Sequence, residues 1–317
     1  RSIAVTGVQT CALPIYVALR TVALQLGKAP APLQLDNLSG RVDIARTAQR
    51  LEVATHGLAF TTREGQTWPG GNARLVQTQN EQGEWLQRLL EADRLDLTAL
   101  RQLATHLPLD DTTRDWLNRL QPAGLVRTLA LDWSAPRGDQ PPRWKAKGEL
   151  AQLHLEAGPV PTPSAEHPHP LGRPGVHNLD VHFEGDQTGG KAEVVLQKGH
   201  LEFPGLFEEP RIPTDTFKTQ LTWQVQGERW DVRLPNLRFA NADAEGEAQL
   251  HWHTADPATS GSQRRFPGVL DLNATLQRAN AAQGPRYLPL ANPTGVRRYL
   301  REAIPKGTAR QATCQVK

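Results

Sequence analysis

The chain has no methionine and only two cysteines among its 317 residues. Cys11 and Cys314 share no CxxC or zinc spacing, which excludes a disulfide framework or a structural metal cluster as the organising device. No stretch approaches ~18 consecutive apolar residues, so no helix is written to cross a membrane. A charged leader followed by an apolar core is missing too. Charge of one sign is scarce: 36 basic residues stand against 33 acidic ones, and no run of five Lys/Arg occurs. This leaves nucleic acid without an electrostatic footprint, and no nucleic-acid partner is expected. There is no βαβ rhythm and no glycine-rich phosphate loop. Ser260-Gly-Ser262 lacks the strand–turn–helix context of a nucleophile elbow and reads as linker.

The ends differ from the body of the chain. Arg1–Ile15 shares no pattern with residues 16–317, resembles a translated sequencing-adapter artefact, and is set apart from the fold together with Cys11. Without an initiator Met, and stopping at Lys317 inside an alternating run, the chain is expected to be an internal fragment. Any signal or anchor would then lie upstream.

What the chain does have is a long-period repeat. HLPLDDTTRDWLNRLQPAG (106–124) and YLPLANPTGVRRYLREAIPKG (287–307) match in Leu-Pro-Leu, an Arg-x-aromatic-Leu segment and Pro-x-Gly. Trp116 corresponds to Tyr299, Pro122 to Pro305 and Gly124 to Gly307, a period of 299 − 116 = 183 residues. A repeat of this kind points to growth by elongation and away from a single catalytic pocket. In the first copy Asp110 or Asp111 is placed to cap a helix carrying Trp116, Leu117 and Leu120. In the second, Asn292 is expected as cap with Pro293 at the first helical position. Glu84–Leu90 and Leu97–Leu107 also show helical 3–4 spacing.

Most of the remainder alternates apolar and polar residues, the period of a half-buried strand. Arg41–Ile44 and Arg50–Val53 read as a hairpin, Ala73–Val76 as a strand, and Leu129, Leu131 and Trp133 as one face of another. From Val176 to Asp256 the apolar face carries Leu179, Val181 and Phe183, then Val194 and Leu196, then Leu221, Trp223 and Val225. Next come Val232, Leu234, Leu237 and Phe239, then Leu250 and Trp252, and later Leu270, Leu272 and Leu276. Gly158–Pro174, with six prolines, and Pro257–Arg265 read as exposed loops. About a dozen strands with short connections imply antiparallel pairing.

An apolar strand face must be buried. A sandwich, a closed barrel and an open trough all satisfy the pattern, and alternation does not choose among them. An open trough has acyl chains as its natural ligand, because each methylene exposed to water costs about 0.8 kcal/mol.

Several stretches resemble the YhdP branch of the AsmA-like family. They are 173–215, VRLPNLRFANADAEGEAQLHWHTADP (232–257), RFPGVLDLNATLQRAN (265–280) and RYLPLANPTGVRRYLREAIPKG (286–307). The resemblance implies a mainly β fold, an elongated, curled antiparallel sheet forming a repeating β-groove, interrupted by two short helical elements. With the order of strands and repeat elements, this reads as groove segments 16–96 and 125–286, helical inserts 97–124 and 287–307, and a truncated next segment from 308 to 317. The resemblance also implies a periplasmic bridge in a Gram-negative bacterium, anchored upstream in the inner membrane, that moves phospholipid to the outer membrane and supports its permeability barrier. Acyl chains are then the partner, and both membranes are reached through parts outside this chain. The family supplies no catalytic motif, cofactor or metal.

The residues expected to face lipid are Leu179, Val181, Phe183, Val194, Leu196, Leu221, Trp223, Val225, Leu250, Trp252, Leu270 and Leu272. Two other readings are weighed against this one. An envelope-assembly scaffold would close its core and bind another protein. A carbohydrate-active hydrolase would need converging carboxylates, for which Glu208, Glu209, Asp243, Glu245 and Glu247 are candidates. His251 and His253 on one strand face are a possible metal pair without a third ligand, and His167 and His169 lie in the proline-rich loop.

Overall fold

Alternation of apolar and polar side chains becomes strand almost wherever the sequence shows it. The computed structural model describes residues 11–25, 31–68, 70–107, 109–136, 142–164, 168–260, 264–266 and 268–316. His167 and Ser262 therefore lie outside the described residues. The chain forms two compact units, Arg1–Leu117 with Leu125–Glu149, and Asn118–Gly124 with Leu150–Lys317.

The first unit holds β1 (Cys11–Leu24), β2 (Leu33–Arg46), β3 (Arg50–Thr62), the short β4 (Thr67–Trp68), β5 (Asn72–Gln79) and β6 (Trp85–Asp96). An insert comes next, with α1 (Leu97–Gln102), a single 3₁₀ turn Ala104–His106 and α2 (Asp111–Leu120). Then come β7 (Ala123–Ser134) and β8 (Arg143–Leu155), which runs into the second unit. The second unit continues with β9 (Gly175–Asp186), β10 (Gly189–Glu202), β11 (Arg211–Gln226), β12 (Arg229–Ala240), β13 (Ala244–His253) and β14 (Val269–Asn280). A 3₁₀ stretch Ala281–Tyr287 and α3 (Thr294–Ala303) precede β15 (Thr308–Ala309) and β16 (Ala312–Val316).

All sixteen strands belong to one open antiparallel sheet whose order follows the chain, with β4 added on β3 and β16 on β14. The sheet is not closed. Most neighbours are joined by short hairpin connections, which favour antiparallel pairing in chain order; the insert between β6 and β7 and the loops before β9 and β14 are longer but keep the same order. The N-terminal residues set apart by composition are described from Cys11 onward as the start of β1, with Cys11 opposite Arg46 and Ile15 opposite Val42. Backbone pairing needs no particular side-chain pattern, which is how this stretch extends the strand.

Three expectations are corrected. Glu84–Leu90 is not helical; it opens β6. Leu90 faces Leu75 and Leu131, while Leu89 on the other side faces Val76, which is buried. A strand with apolar neighbours on both faces carries adjacent leucines, and these mimic helical spacing. In the second insert the cap is Pro293, one residue later than expected, with no side-chain bond to the helix, and Thr294 is the first helical residue. In the first insert the α-helix read over 97–107 stops at Gln102 and gives way to a 3₁₀ turn, while Asp110 caps α2 as its sequence reads. The Thr113 amide donates to Asp110 Oδ1 at 2.9 Å, and the Ala99 amide to Asp96 Oδ1 at 2.9 Å.

Both repeat glycines leave their inserts in the left-handed region, Gly124 at φ +118° and Gly307 at φ +150°. A Cβ on Gly124 would also lie 2.7 Å from the Gln152 carbonyl oxygen. Glycine is thus required at the first copy for space as well as for dihedral freedom.

Candidate functional site: an apolar sheet face

Residues directly opposite each other in an antiparallel pair share a face, so strand registers show which side chains lie together. In the second unit Leu179 is opposite Leu196, Val181 opposite Val194 and Phe183 opposite Ala192. Across the next pair, Ala192 faces Leu221, Val194 faces Thr219 and Leu196 faces Phe217. Trp223 and Val225 continue that face of β11 and meet Val232 and Trp230. Val232 then faces Trp252, which faces Leu270, while Leu234, Leu250 and Leu272 form the adjacent row. All twelve residues singled out in the sequence therefore lie on one face of the sheet.

One irregularity keeps the face continuous. The β12 register shifts between Leu234 and Leu237. An extra residue at Pro235-Asn236 returns Leu237 and Phe239 to the side already occupied by Val232 and Leu234, as a β-bulge does. Proline fits there because a bulge leaves a ladder position unpaired.

Ten of the twelve residues are half-buried; Leu196 is buried and Leu270 is 38% exposed. Core side chains of a closed sandwich would be largely withdrawn from water. Here each residue is covered by its strand neighbours, and the face keeps an accessible side. Thr219 is its polar member, buried, with its hydroxyl donating to the Gln220 carbonyl at 3.1 Å. Trp252 stacks on Phe266, with ring centroids 6.2 Å apart.

Phe217 and Phe239 join the face by register although neither was among the candidate site residues. Phe217 was readable in principle, since it lies four residues before Leu221 on the odd side of β11. Phe239, read with Leu237 as an apolar pair, is brought to the same side as Val232 by the bulge.

The first unit repeats the arrangement. Ile44, Val53, Leu75, Leu90 and Leu131 form a row across five strands. At strand spacing this row spans about 19 Å. Val42, Thr55, Ala73, Ala92 and Leu129 form the next row. Leu38 and Phe60 continue the face toward the strand ends, where Phe60 stacks on Trp68 at 6.0 Å. There the face meets a buried cluster of Leu33, Leu35 and Leu103, packed against Leu24, Leu38, Phe60, Trp68 and Leu107. Leu103 comes from the first insert, so the insert adjoins the end of the apolar face.

The opposite face is a lattice of ion pairs. Glu52 accepts from Arg74 at 2.7 Å and Arg50 at 2.9 Å, and Arg74 also reaches Glu91 at 2.9 Å. Hydrogen bonds from Arg74 and then Arg50 hold the Glu52 carboxyl below the usual carboxylate range. In the second unit Lys191 pairs with Glu184 at 2.7 Å, Lys218 with Glu193 at 2.8 Å and Arg238 with Glu247 at 3.2 Å. The Lys218 hydrogen bond lowers Glu193, and Arg233 followed by His251 lowers Asp231. Exposed pairs add little stability each. Their consequence is a hydrated side opposite a dry one.

The candidate catalytic and metal-binding side chains fall into this lattice or into loops. Glu208 is held by Arg301 at 2.7 Å, Glu209 by Arg286 at 3.0 Å, and Glu245 is opposite Arg278. Asp243 Oδ2 accepts from the Tyr287 hydroxyl at 2.7 Å and from Arg286 at 3.1 Å, and the same hydroxyl accepts from Asn241 at 3.0 Å. Burial, and then the bond to Asp243, push the Tyr287 phenol up to about 12. This network fastens the second insert to the β12–β13 turn. His251 Nε2 lies 2.8 Å from Asp231 Oδ2, and His253 Nδ1 lies 3.0 Å from the Thr254 carbonyl. Among the described residues no cluster of three metal-ligating side chains forms. His169 is exposed.

No curated protein and no solved structure matches the chain. The sequence profile of the family described as YhdP protein matches residues 13–317, nearly the whole length. With a mainly β, open antiparallel sheet and a face of continuous apolar rows, the chain belongs to the YhdP family.

Proposed function

We propose that this chain is a lipid-conducting segment of a periplasmic bridge protein, which carries phospholipid acyl chains along its apolar sheet face between inner and outer membranes. The observation that carries the reading is the register. It puts all twelve candidate residues on one side, ten of them half-buried, without a fixed cation or carboxylate among them, while ion pairs occupy the other side.

A tail that buries about ten methylenes against such a surface gains roughly 8 kcal/mol over water. Because the gain is spread over Leu, Val, Phe and Trp side chains, no single position fixes the tail, and it is free to slide. Binding of this kind needs no reacting group, cofactor or metal, and the reading makes the protein a carrier, not an enzyme. A periplasmic location, an anchor in the inner membrane and a role in the outer-membrane permeability barrier are parts of the same proposal and rest on family membership.

A photo-crosslinker at Trp223 or Val225 is expected to capture phospholipid in cells, and one at Thr222 or Gln224 is not. Capture confined to positions 222 and 224 would reverse the assignment of faces. Capture of protein alone from 223 and 225 would favour an assembly scaffold.

A further inference from the structure

We propose that α3 is an interfacial helix that docks on an anionic phospholipid surface. Its apolar stripe is Val296, Tyr299 and Leu300, spaced at i, i+3 and i+4, and no α3 residue is buried. Val296 is 47% and Tyr299 68% exposed. One flank of the helix is fastened, since Arg297 and Arg301 both reach Glu208, at 3.9 and 2.7 Å. That leaves the Val296–Tyr299 stripe turned away from the Glu208 anchor, with Arg298 exposed on the helix and Lys306 and Arg310 exposed just beyond it.

The charge around the stripe selects the partner. Between residues 294 and 310 there are five basic side chains and one acidic, Glu302. A helix with an exposed apolar stripe and a basic flank lies in the headgroup region of an anionic bilayer, with the ring at the boundary and cations toward phosphate. The matched helix supplies a contrast inside the same chain. Trp116 of α2 is 57% exposed, yet Asp110, Asp111 and Asp115 outnumber Arg114 and Arg119 around it. This inference stands apart from the proposal that acyl chains occupy the sheet face.

The test is co-sedimentation of the whole chain with vesicles of mixed phosphatidylglycerol and phosphatidylcholine, or of phosphatidylcholine alone. Binding is expected only with phosphatidylglycerol, and it should weaken as salt rises. Arg298→Glu and Lys306→Glu should each reduce partitioning by about fivefold or more. Tyr299→Ser should reduce it, and Trp116→Ser should not. These side chains are exposed, so unchanged circular dichroism is the check that the fold is retained. Equal binding to neutral vesicles, or none to anionic ones, overturns the proposal. So does loss on Trp223→Arg with the α3 variants silent, which would move attachment to the sheet face. A self-association of the chain abolished by Tyr299→Ser, without vesicle binding, would assign α3 to a second copy and equally overturn it.

Discussion

The indole of Trp223 lies across Gly190 on the neighbouring strand, so closely that a Cβ on Gly190 would sit 2.3 Å from ring atom Cζ2. Gly185, opposite Gly190 on β9, is covered by the same ring, and a Cβ there would be 2.7 Å away. Two glycines in adjacent strands thus make the recess that lets a large aromatic lie along the apolar face. Gly190→Ala should force the ring out and destabilise the chain by about 1–3 kcal/mol. Trp223→Ala should relieve part of that cost, so a double-mutant cycle by urea unfolding should show non-additivity. Additive losses would mean that the ring does not rest on Gly190.

The apolar face should tolerate polarity differently from its reverse. Leu250→Lys places a cation in the row that joins Leu234 to Leu272, and it should abolish lipid carried through purification. Gln249→Lys, one residue away on the exposed side, should leave bound lipid unchanged. Mass spectrometry of extracted lipid from the two variants compares them directly.

Leu103 is the insert's contribution to the Leu33–Leu35 cluster and is only 3% exposed. Leu103→Ala should cost about 2–5 kcal/mol, as for other buried leucines. Because Trp68 packs against the cluster, its fluorescence should report the loss; a denaturation midpoint unchanged from the parent would contradict the packing.

Tyr287→Phe removes the hydroxyl that bridges Asp243 and Asn241 while keeping the ring. A hydrogen bond to a charged group of this kind contributes about 1.5–3 kcal/mol. Amide exchange in residues 281–303 should accelerate, and exchange in β9 and β10 should not. Uniform acceleration would show that the contact supports the whole unit and not only the insert.

Acid should weaken the second unit through His200. This imidazole stacks on His177 at 5.0 Å, and His177 lies edge-on to His154 at 5.2 Å. Burial, then Arg211 and the two histidines, lower the His200 pKa, against a smaller opposing pull from Glu202. The fold thus prefers neutral His200. Its contribution is complete above the unfolded value of about 6.5 and is lost as pH falls through the lower folded value. Urea midpoints should decline between about pH 7.5 and 5.5, above the range where free carboxylates titrate. His200→Gln should flatten that decline.

Legibility from sequence differed from element to element. The β2–β3 hairpin and the faces of β9, β10, β11 and β13 followed from strict alternation, because one buried and one wet face leave a period of two. Leu179 to Leu272 could be named as one set for that reason. β6 mimics helical spacing because Leu89 and Leu90 are apolar on opposite sides, and only its register beside Val76 and Leu75 shows that both find apolar neighbours as a strand. Leu237 and Phe239 alternate with their neighbours in the sequence, but the step at Pro235-Asn236 that keeps them on the same side as Val232 and Leu234 is visible only against the register of both partner strands.

The sequence by itself determined that the chain is β-rich, that its strands have one dry side, and that two matched helical inserts end in glycine. These are properties of neighbouring residues, set by side-chain period and by the dihedral freedom that Gly124 and Gly307 require. Only the tertiary structure decided that the sheet stays open, that twelve dispersed residues share one face, and that Trp223 rests on Gly185 and Gly190. It also decided that the carboxylates of a would-be catalytic site are spent on Arg286, Arg301 and Arg238. The reason is that register, bulge position and ion pairing join residues tens of positions apart, and alternation is equally compatible with a sandwich, a barrel or an open sheet.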